Sequence, residues 1–344
     1  MFEWLNVGNL ISNFIAIFVF PGFLYCFLVG MLLAGIDRKI VARMQKRVGP
    51  PLSQPMYDFF KLCGKETIVP TVANKTVFLW APPVGLMALV VIQLFIPVFD
   101  YSAFNAVADV IVILYLLLIP AMSIILGGAS SGSPYAGVGL SREMVTIISV
   151  ELPLVLVLLA VGKVVGNAMG TGFCLSFTQI AAYQMENGSL ILVPSMIPAA
   201  IAMLLIIPGE TGNHPFDAAE AETEICEGLL AEYSGKPLAV YKLTHSVKTL
   251  TLTSMFVALF LGGLGAPLAA LAAFFGLSAT ATSVISVLLG AVVTVLLCIV
   301  LTVLTISLPH AICARLKIEQ IFKFYWTVVA GLALISLVLA WYGL

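Results

Sequence analysis

The stretch "ILVPSMIPAAIAMLLIIPGETGNHPFDAAEAETEICEGLLAEYSG", residues 191–235, decides the architecture. Its first half is an uninterrupted apolar run. Its second half, residues 210–235, holds seven acids: Glu210, Asp217, Glu220, Glu222, Glu224, Glu227 and Glu232. The whole chain has only 17 acidic residues, so this one stretch carries a large share of them. An apolar segment of about 20 residues crosses a bilayer as a helix. The acids after it therefore sit where such a helix leaves the membrane.

Composition extends that reading to the whole chain. Of 344 residues, 61% are hydrophobic and 10% charged, and mean hydropathy is +1.12. Soluble domains are about half apolar and a quarter charged. A net charge of −1 gives no footprint for nucleic acid. Eight spans follow, near 9–36, 78–99, 106–126, 144–165, 190–208, 247–274, 282–308 and 322–342. The alternating pattern of barrel strands is absent, so the expected fold is an all-α polytopic helical bundle. No linker divides it, and we read 1–344 as a single transmembrane domain with loops at 37–77 and 209–246. No internal repeat is visible, unlike transporters built from inverted halves. The N-terminus has no basic region or small-residue cleavage site, so it reads as a retained first helix.

Basic residues set the orientation. With eight spans, 15 of the 16 Lys and Arg fall on one face, with Lys163 opposite. That face is expected to be cytoplasmic, with the acid-rich loop, and both termini outside. The segment 54–66 places Met56, Phe59, Phe60 and Cys63 on one helical face. It is too short to span and reads as a surface helix. Residues 176–185 read as a second short helix on the outer side.

The six cysteines form no C-x-x-C pair and none has zinc spacing to a histidine. His214, His245 and His310 are scattered through the expected loops. The chain is expected to bind no metal or cluster itself. No nucleotide loop, activated nucleophile or haem motif is present, which points away from covalent chemistry.

The charges then need a role. Asp217 reads as a helix N-cap with Glu220 reaching back. On that helix Asp217, Glu220, Glu224 and Glu227 share one stripe, while Glu222 points away. A solvated, capped helix is one reading of these acids. A row of close carboxylates with raised proton affinity is the other. Glu151 lies about two turns into the fourth span, just before Pro153, where a carboxylate needs a polar cavity or a proton. Arg142 and Glu143 stand at the mouth of the same helix, Arg142 either pairing with the acids or anchoring the helix end. The basic run "DRKIVARMQKRVGP" (37–50) serves as a topogenic flank or as a docking surface.

Three stretches together resemble one family: "DRKIVARMQKRVGP", "SREMVTIISVELPL" and "ETGNHPFDAAEAETEICEGLLAEYSG". They are similar to the H subunit (mitochondrial subunit 1) of respiratory complex I, the proton-pumping NADH–quinone oxidoreductase. The same family includes the membrane anchor of energy-converting NiFe hydrogenases and related ferredoxin-linked complexes. The chain departs from the complex I pattern at "RVGPPLSQPMYDFFKLCGKE", which is several residues shorter, and at Gly212-Asn213, where an Asn-Arg pair is usual. Both departures resemble the hydrogenase branch.

The resemblance implies a membrane anchor and ion-translocation coupling subunit of a redox-driven pump. The alternative is the corresponding membrane subunit of an NADH- or other donor–quinone oxidoreductase, forming part of its quinone site. The implied relay runs through Glu210, Asp217, Glu220, Glu222, Glu224 and Glu227 into Glu143 and Glu151, with Arg142 beside it. Arg38, Arg43 and Arg47 would meet the peripheral arm. Implied partners are hydrogenase-like large and small subunits and antiporter-like membrane subunits. Iron–sulfur clusters and a NiFe centre would lie in those other subunits. A stand-alone cation transporter and a purely structural anchor are the competing classes.

Overall fold

The computed structural model describes residues 14–97, 109–265 and 279–343, with side chains at all of these except 222, 223 and 279–284. Parts of four expected spans, 9–13, 98–99, 106–108 and 266–274, lie outside the described residues. Among the described residues the regular secondary structure is helical, apart from one isolated bridge between Asp109 and Ser176. The helices are α1 Phe23–Met44, α2 Gln54–Cys63, α3 Lys75–Phe95, α4 Val110–Ser130, α5 Pro134–Ala168 and α6 Phe177–Asn187. They continue as α7 Ile197–Thr211, α8 Glu222–Ile225, α9 Gly235–Phe260, α10 Ala279–Thr302, α11 Leu308–Ile312, α12 Ile318–Phe324 and α13 Ala330–Tyr342.

Among the described residues, seven helical segments are long and apolar enough to cross a membrane: Phe14–Met44, Lys75–Phe95, Val110–Ser130, Pro134–Ala168, Pro194–Thr211, Ile285–Ile312 and Ile318–Tyr342. The last two contain π-helical turns at Val303–Ser307 and Tyr325–Val329. The remaining expected span, 247–274, appears in α9, which is 26 residues long and the most deeply enclosed helix among the described residues. It packs against α1, α2, α3, α6, α7 and α10. Its composition explains its position. Thr249, Thr251, Thr253 and Ser254 return their hydroxyls to carbonyls three or four residues earlier in the same helix. That leaves a helix whose backbone and hydroxyls are satisfied internally and whose surface is covered by neighbours, as a dry interior requires.

Two expected boundaries move. The first span keeps its helical path to Met44, so Asp37, Arg38 and Arg43 belong to α1 rather than to a loop. Likewise residues 235–246 are the first turns of α9. Charge ends the apolar stretch in each case, but it does not end the helix, because Lys, Arg and Asp all tolerate helical backbone.

The expected surface helices form. α2 lies beside α1 and α9, with Met56 and Phe59 against the core. Phe60 does not turn inward as expected; it is 62% exposed, although its ring still meets Phe27 edge-on at 6.3 Å. α6 buries Phe177, Ile180 and Gln184, and Gln184 donates to the carbonyls of Ala258 and Leu259 at the end of α9.

Candidate functional site: an acid-lined cavity

Elements distant in sequence converge on a cavity of about 390 Å³. α1 brings Asp37 and Arg38, α2 Asp58, α5 Glu143, α7 Glu210, and the following loop Asp217, Glu220 and Glu227. α9 supplies Lys242, His245 and Lys248, and His310 closes one side from α11. The wall thus carries seven carboxylates against three Lys and Arg. That imbalance sets the electrostatics of the space.

The cavity is organised around one buried ion pair. Lys248 Nζ lies 2.9 Å from Glu210 Oε1, with side-chain exposures of 9% and 4%. Glu210 Oε2 is also buried and accepts no hydrogen bond from the described residues. Unpairing a buried charge costs about 3–5 kcal/mol, so α7 and α9 hold each other through this contact. In the sequence Lys248 counts only among the basic residues of one face, and its role is missed. The available signal was a lysine at the second position of an expected span.

Other acids are held by arginine. Asp217 takes a two-pronged contact from Arg315, Nε to Oδ1 at 2.8 Å and an Nη to Oδ2 at 2.5 Å. Arg38 donates to Asp58 at 2.9 Å, and Gln54 supports the same carboxylate at 3.0 Å. Arg142 donates to Glu224 at 2.6 Å and to the Ala218 carbonyl at 3.2 Å. Of the two readings for Arg142, pairing with the acidic stretch is the observed one. Asp37 accepts from Ser307 at 2.7 Å and stands 4.0 Å from His310 Nδ1.

The expected helix from Asp217 through Glu227 does not form. Only Glu222–Ile225 is helical, Asp217 caps nothing, and Cys226 and Glu227 adopt left-handed backbone. Tertiary packing overrides the local pattern. Ala218, Ala219 and Ala221 are buried, and the loop presses so closely on α5 that a Cβ on Gly139 would stand 3.2 Å from the Ala219 carbonyl oxygen. The expected acidic stripe is therefore split. Glu220 and Glu227 face the cavity, whereas Glu224 is exposed and turned to Arg142. The Glu222 side chain lies outside the described residues.

These environments separate the acids chemically. Burial, then the negative charges of Glu143, Glu227 and Asp217, push the Glu220 carboxyl up to about 7, against a smaller opposing pull from Lys248. Glu224 moves the other way, held low by its hydrogen bond and charge contact with Arg142. Glu143, Glu220 and Glu227 have no ion pair within 4.0 Å among the described residues. Glu151 lies farther along α5, partly exposed, and does not line the cavity.

The histidines are not scattered as expected. His214 stacks on His310 with ring centroids 5.2 Å apart, and His245 lines the cavity from α9. The loop fold brings the first two together, which spacing alone does not reveal. Among the described residues no group of three or more His, Cys, Asp or Glu is arranged to hold a metal ion. Of the expected docking arginines, Arg38 is committed to Asp58 and the cavity wall. Arg43 and Arg47 are exposed at the end of α1, Arg47 contacting Gln45.

A helical membrane bundle that keeps an acid-lined cavity beside a buried Lys–Glu pair defines a class: membrane subunits that hold titratable groups at the edge of a bilayer. The chain belongs to the NADH dehydrogenase family, whose model matches residues 15–341. It is 34% identical over 254 residues to hydrogenase-4 component C of Escherichia coli K12, covering 74% of this chain and 78% of that one. It is 35% identical over 257 residues to the H subunit of the NADH-quinone oxidoreductase of Frankia casuarinae, covering 70% and 55%. In structure it is similar to a chain of the membrane-bound sulfane sulfur reductase, an archaeal respiratory membrane complex. There the TM-score is 0.77 at 29% identity, with 97% of this chain and 100% of the other covered. Its relatives thus include membrane subunits of both hydrogenase-type and NADH–quinone-type complexes.

Proposed function

We propose that this chain anchors a peripheral electron-transfer arm of the hydrogenase type on the membrane and couples it to antiporter-like subunits through its carboxylates. The observation that carries the reading is the split within the cavity wall. Glu210 is paired with a buried lysine, while Glu143, Glu220 and Glu227 stand around the same space without ion-pair partners. Carboxylates crowded in a partly dry space change protonation when a nearby charge changes. Charge arriving in a redox arm above the loop would shift Glu220 first, because its carboxyl already titrates near 7. The path would continue through Glu143 and on to Glu151 along α5.

The docking role falls to Arg43 and Arg47 with Lys46, which lie exposed where α1 ends. The charge distribution supports a cytoplasmic position for this face, with both termini outside. Iron–sulfur clusters and the catalytic metal centre would belong to the partner subunits. The shortened segment before α2 and the relative from hydrogenase-4 support the hydrogenase branch. A quinone-using complex is the second reading. It is favoured by the cavity itself, whose volume and half-apolar wall, including Met31, Leu33 and Phe59, suit a small headgroup.

The test uses the intact complex in membrane vesicles. Glu143→Gln and Glu151→Gln each leave assembly and electron transfer in place and lower ion transport per electron at least tenfold. Normal transport in both assembled variants would remove the relay. Quinone-dependent turnover blocked by headgroup analogues would favour the second reading.

A further inference from the structure

A second concavity lies away from the acid-lined cavity. It is a groove of about 730 Å³ between the segment 67–73, the start of α3 and the start of α9. Its lining combines two lysines, Lys75 and Lys236, with Val69, Pro70, Leu79 and Val240, and contains no acidic residue. Both lysines are exposed, and neither forms an ion pair among the described residues.

The groove is built rather than incidental. The Ile68 amide donates to Ser234 Oγ at 3.0 Å, tying the segment to the start of α9. Gly235 has a positive φ of 61°, and a Cβ there would stand 2.6 Å from the Glu66 carbonyl oxygen, so only glycine permits this approach. Beneath lie Phe78 and Tyr233, stacked at 4.0 Å, with Val69 and Leu79 packed on their cluster.

Neighbouring residues fix its depth. One turn beyond Lys75, Trp80 is 64% exposed, followed by exposed Val84 and Met87 on α3. Tryptophan favours the headgroup level, and the apolar residues beyond it face acyl chains. On the segment itself Ile68 and Val72 are 66% and 82% exposed, which suits a turn dipped into the interface.

We propose that this groove binds an anionic phospholipid, with the phosphodiester between Lys75 and Lys236 and an acyl chain along Leu79, Pro83 and Val240. Unpaired cations above an apolar channel at headgroup depth match that ligand in charge and in shape. A zwitterionic lipid would fill the channel equally but set its own cation against the two lysines. The site is independent of the carboxylate cavity.

The intact detergent-solubilised complex tests this with two photoactivatable lipids, a phosphatidylglycerol and a phosphatidylcholine, each carrying a diazirine in one acyl chain. Phosphatidylglycerol should label peptides spanning 67–83 and 236–240 in preference to phosphatidylcholine, and less so at high salt. Each of Lys75→Gln and Lys236→Gln should cut the labelling about fivefold, from roughly 1 kcal/mol per lysine at a charged lipid surface. Lys75→Arg and Lys236→Arg should retain it. Val240→Trp, which leaves both lysines and fills the channel, should abolish it and guards against misfolding of the charge variants. Equal labelling by both lipids, indifference to the glutamine changes, displacement by inorganic phosphate alone, or crosslinking of the groove to a neighbouring subunit in place of lipid would each overturn the proposal.

Discussion

Asp217 and Glu220 lie three residues apart in one loop, yet they are held in opposite ways. Asp217 is clasped by the Arg315 guanidinium through two oxygens. Glu220 faces the cavity with no cation within 4.0 Å among the described residues, and with Glu143 and Glu227 as its charged neighbours. The first arrangement fixes the shape of the loop. The second leaves a group balanced between charged and neutral. The loop thus divides its acids between construction and titration, and Glu224, held by Arg142, belongs with the first kind. The Glu210–Lys248 pair is a third case, structural by its burial and central to the titrating set by its position.

The strongest challenge to this division is at Lys248. Lys248→Met leaves Glu210 buried without its partner, at a cost of about 3–5 kcal/mol. Assembled complex in membranes should fall sharply. The double change Glu210→Met with Lys248→Met should restore assembly, since an apolar pair of similar size is close to neutral, but not ion transport. Recovery of both would make the pair purely structural.

Next in size is Asp217→Asn. It weakens a two-pronged charge-assisted contact worth about 1–3 kcal/mol. Protease cutting within 213–235 should rise, and Arg315→Gln combined with it should add less than its full separate effect, because the two changes share one contact. Fully additive losses would separate Asp217 from Arg315.

The smallest effect on assembly, and the sharpest test of the contrast, is spectroscopic. Because its folded-state carboxyl titrates above the unfolded one, Glu220 weakens the fold as pH rises from about 4.5 to about 7, and adds no further change above that. A protonated-carboxyl infrared band titrating near 7 should vanish in Glu220→Gln and shift to lower pH in Glu143→Gln, where one repelling charge is gone. Glu224→Gln should leave both band and assembly unchanged. A band that survives Glu220→Gln would assign the titration elsewhere.

Much of this was legible in the chain. Apolar runs near 20 residues gave the bundle, because lipid forces backbone groups to be satisfied within each segment. The surface helices at 54–66 and 176–185 could be read from length and apolar spacing. The carboxylates of the site were also visible, since charges are rare in so apolar a sequence. Their arrangement was not. The helical stripe from Asp217 to Glu227 is a sound local inference, defeated by three alanines that bury against α5 and by a turn through Cys226 and Glu227. Lys248 was hidden for another reason: its partner is on a different helix, and no local rule links Glu210 to it. Asp37, His245 and His310 enter the cavity wall only through packing.

The enclosure of α9 has a consequence for how the chain is made. α9 carries Lys248 buried level with the end of α7, where its charge is stable only against the Glu210 carboxylate. Five of the six helices that pack on it, α1, α2, α3, α6 and α7, precede it in the chain. By the time the ribosome delivers α9, its walls are already in the bilayer and the Glu210 carboxylate awaits its counter-charge. Synthesis in chain order thus offers α9 a prepared slot instead of bare lipid. A glycosylation reporter placed after residue 265 should change sides when Glu210 is replaced by alanine in a nascent chain ending there, and an unaltered reporter would show that α9 inserts without it.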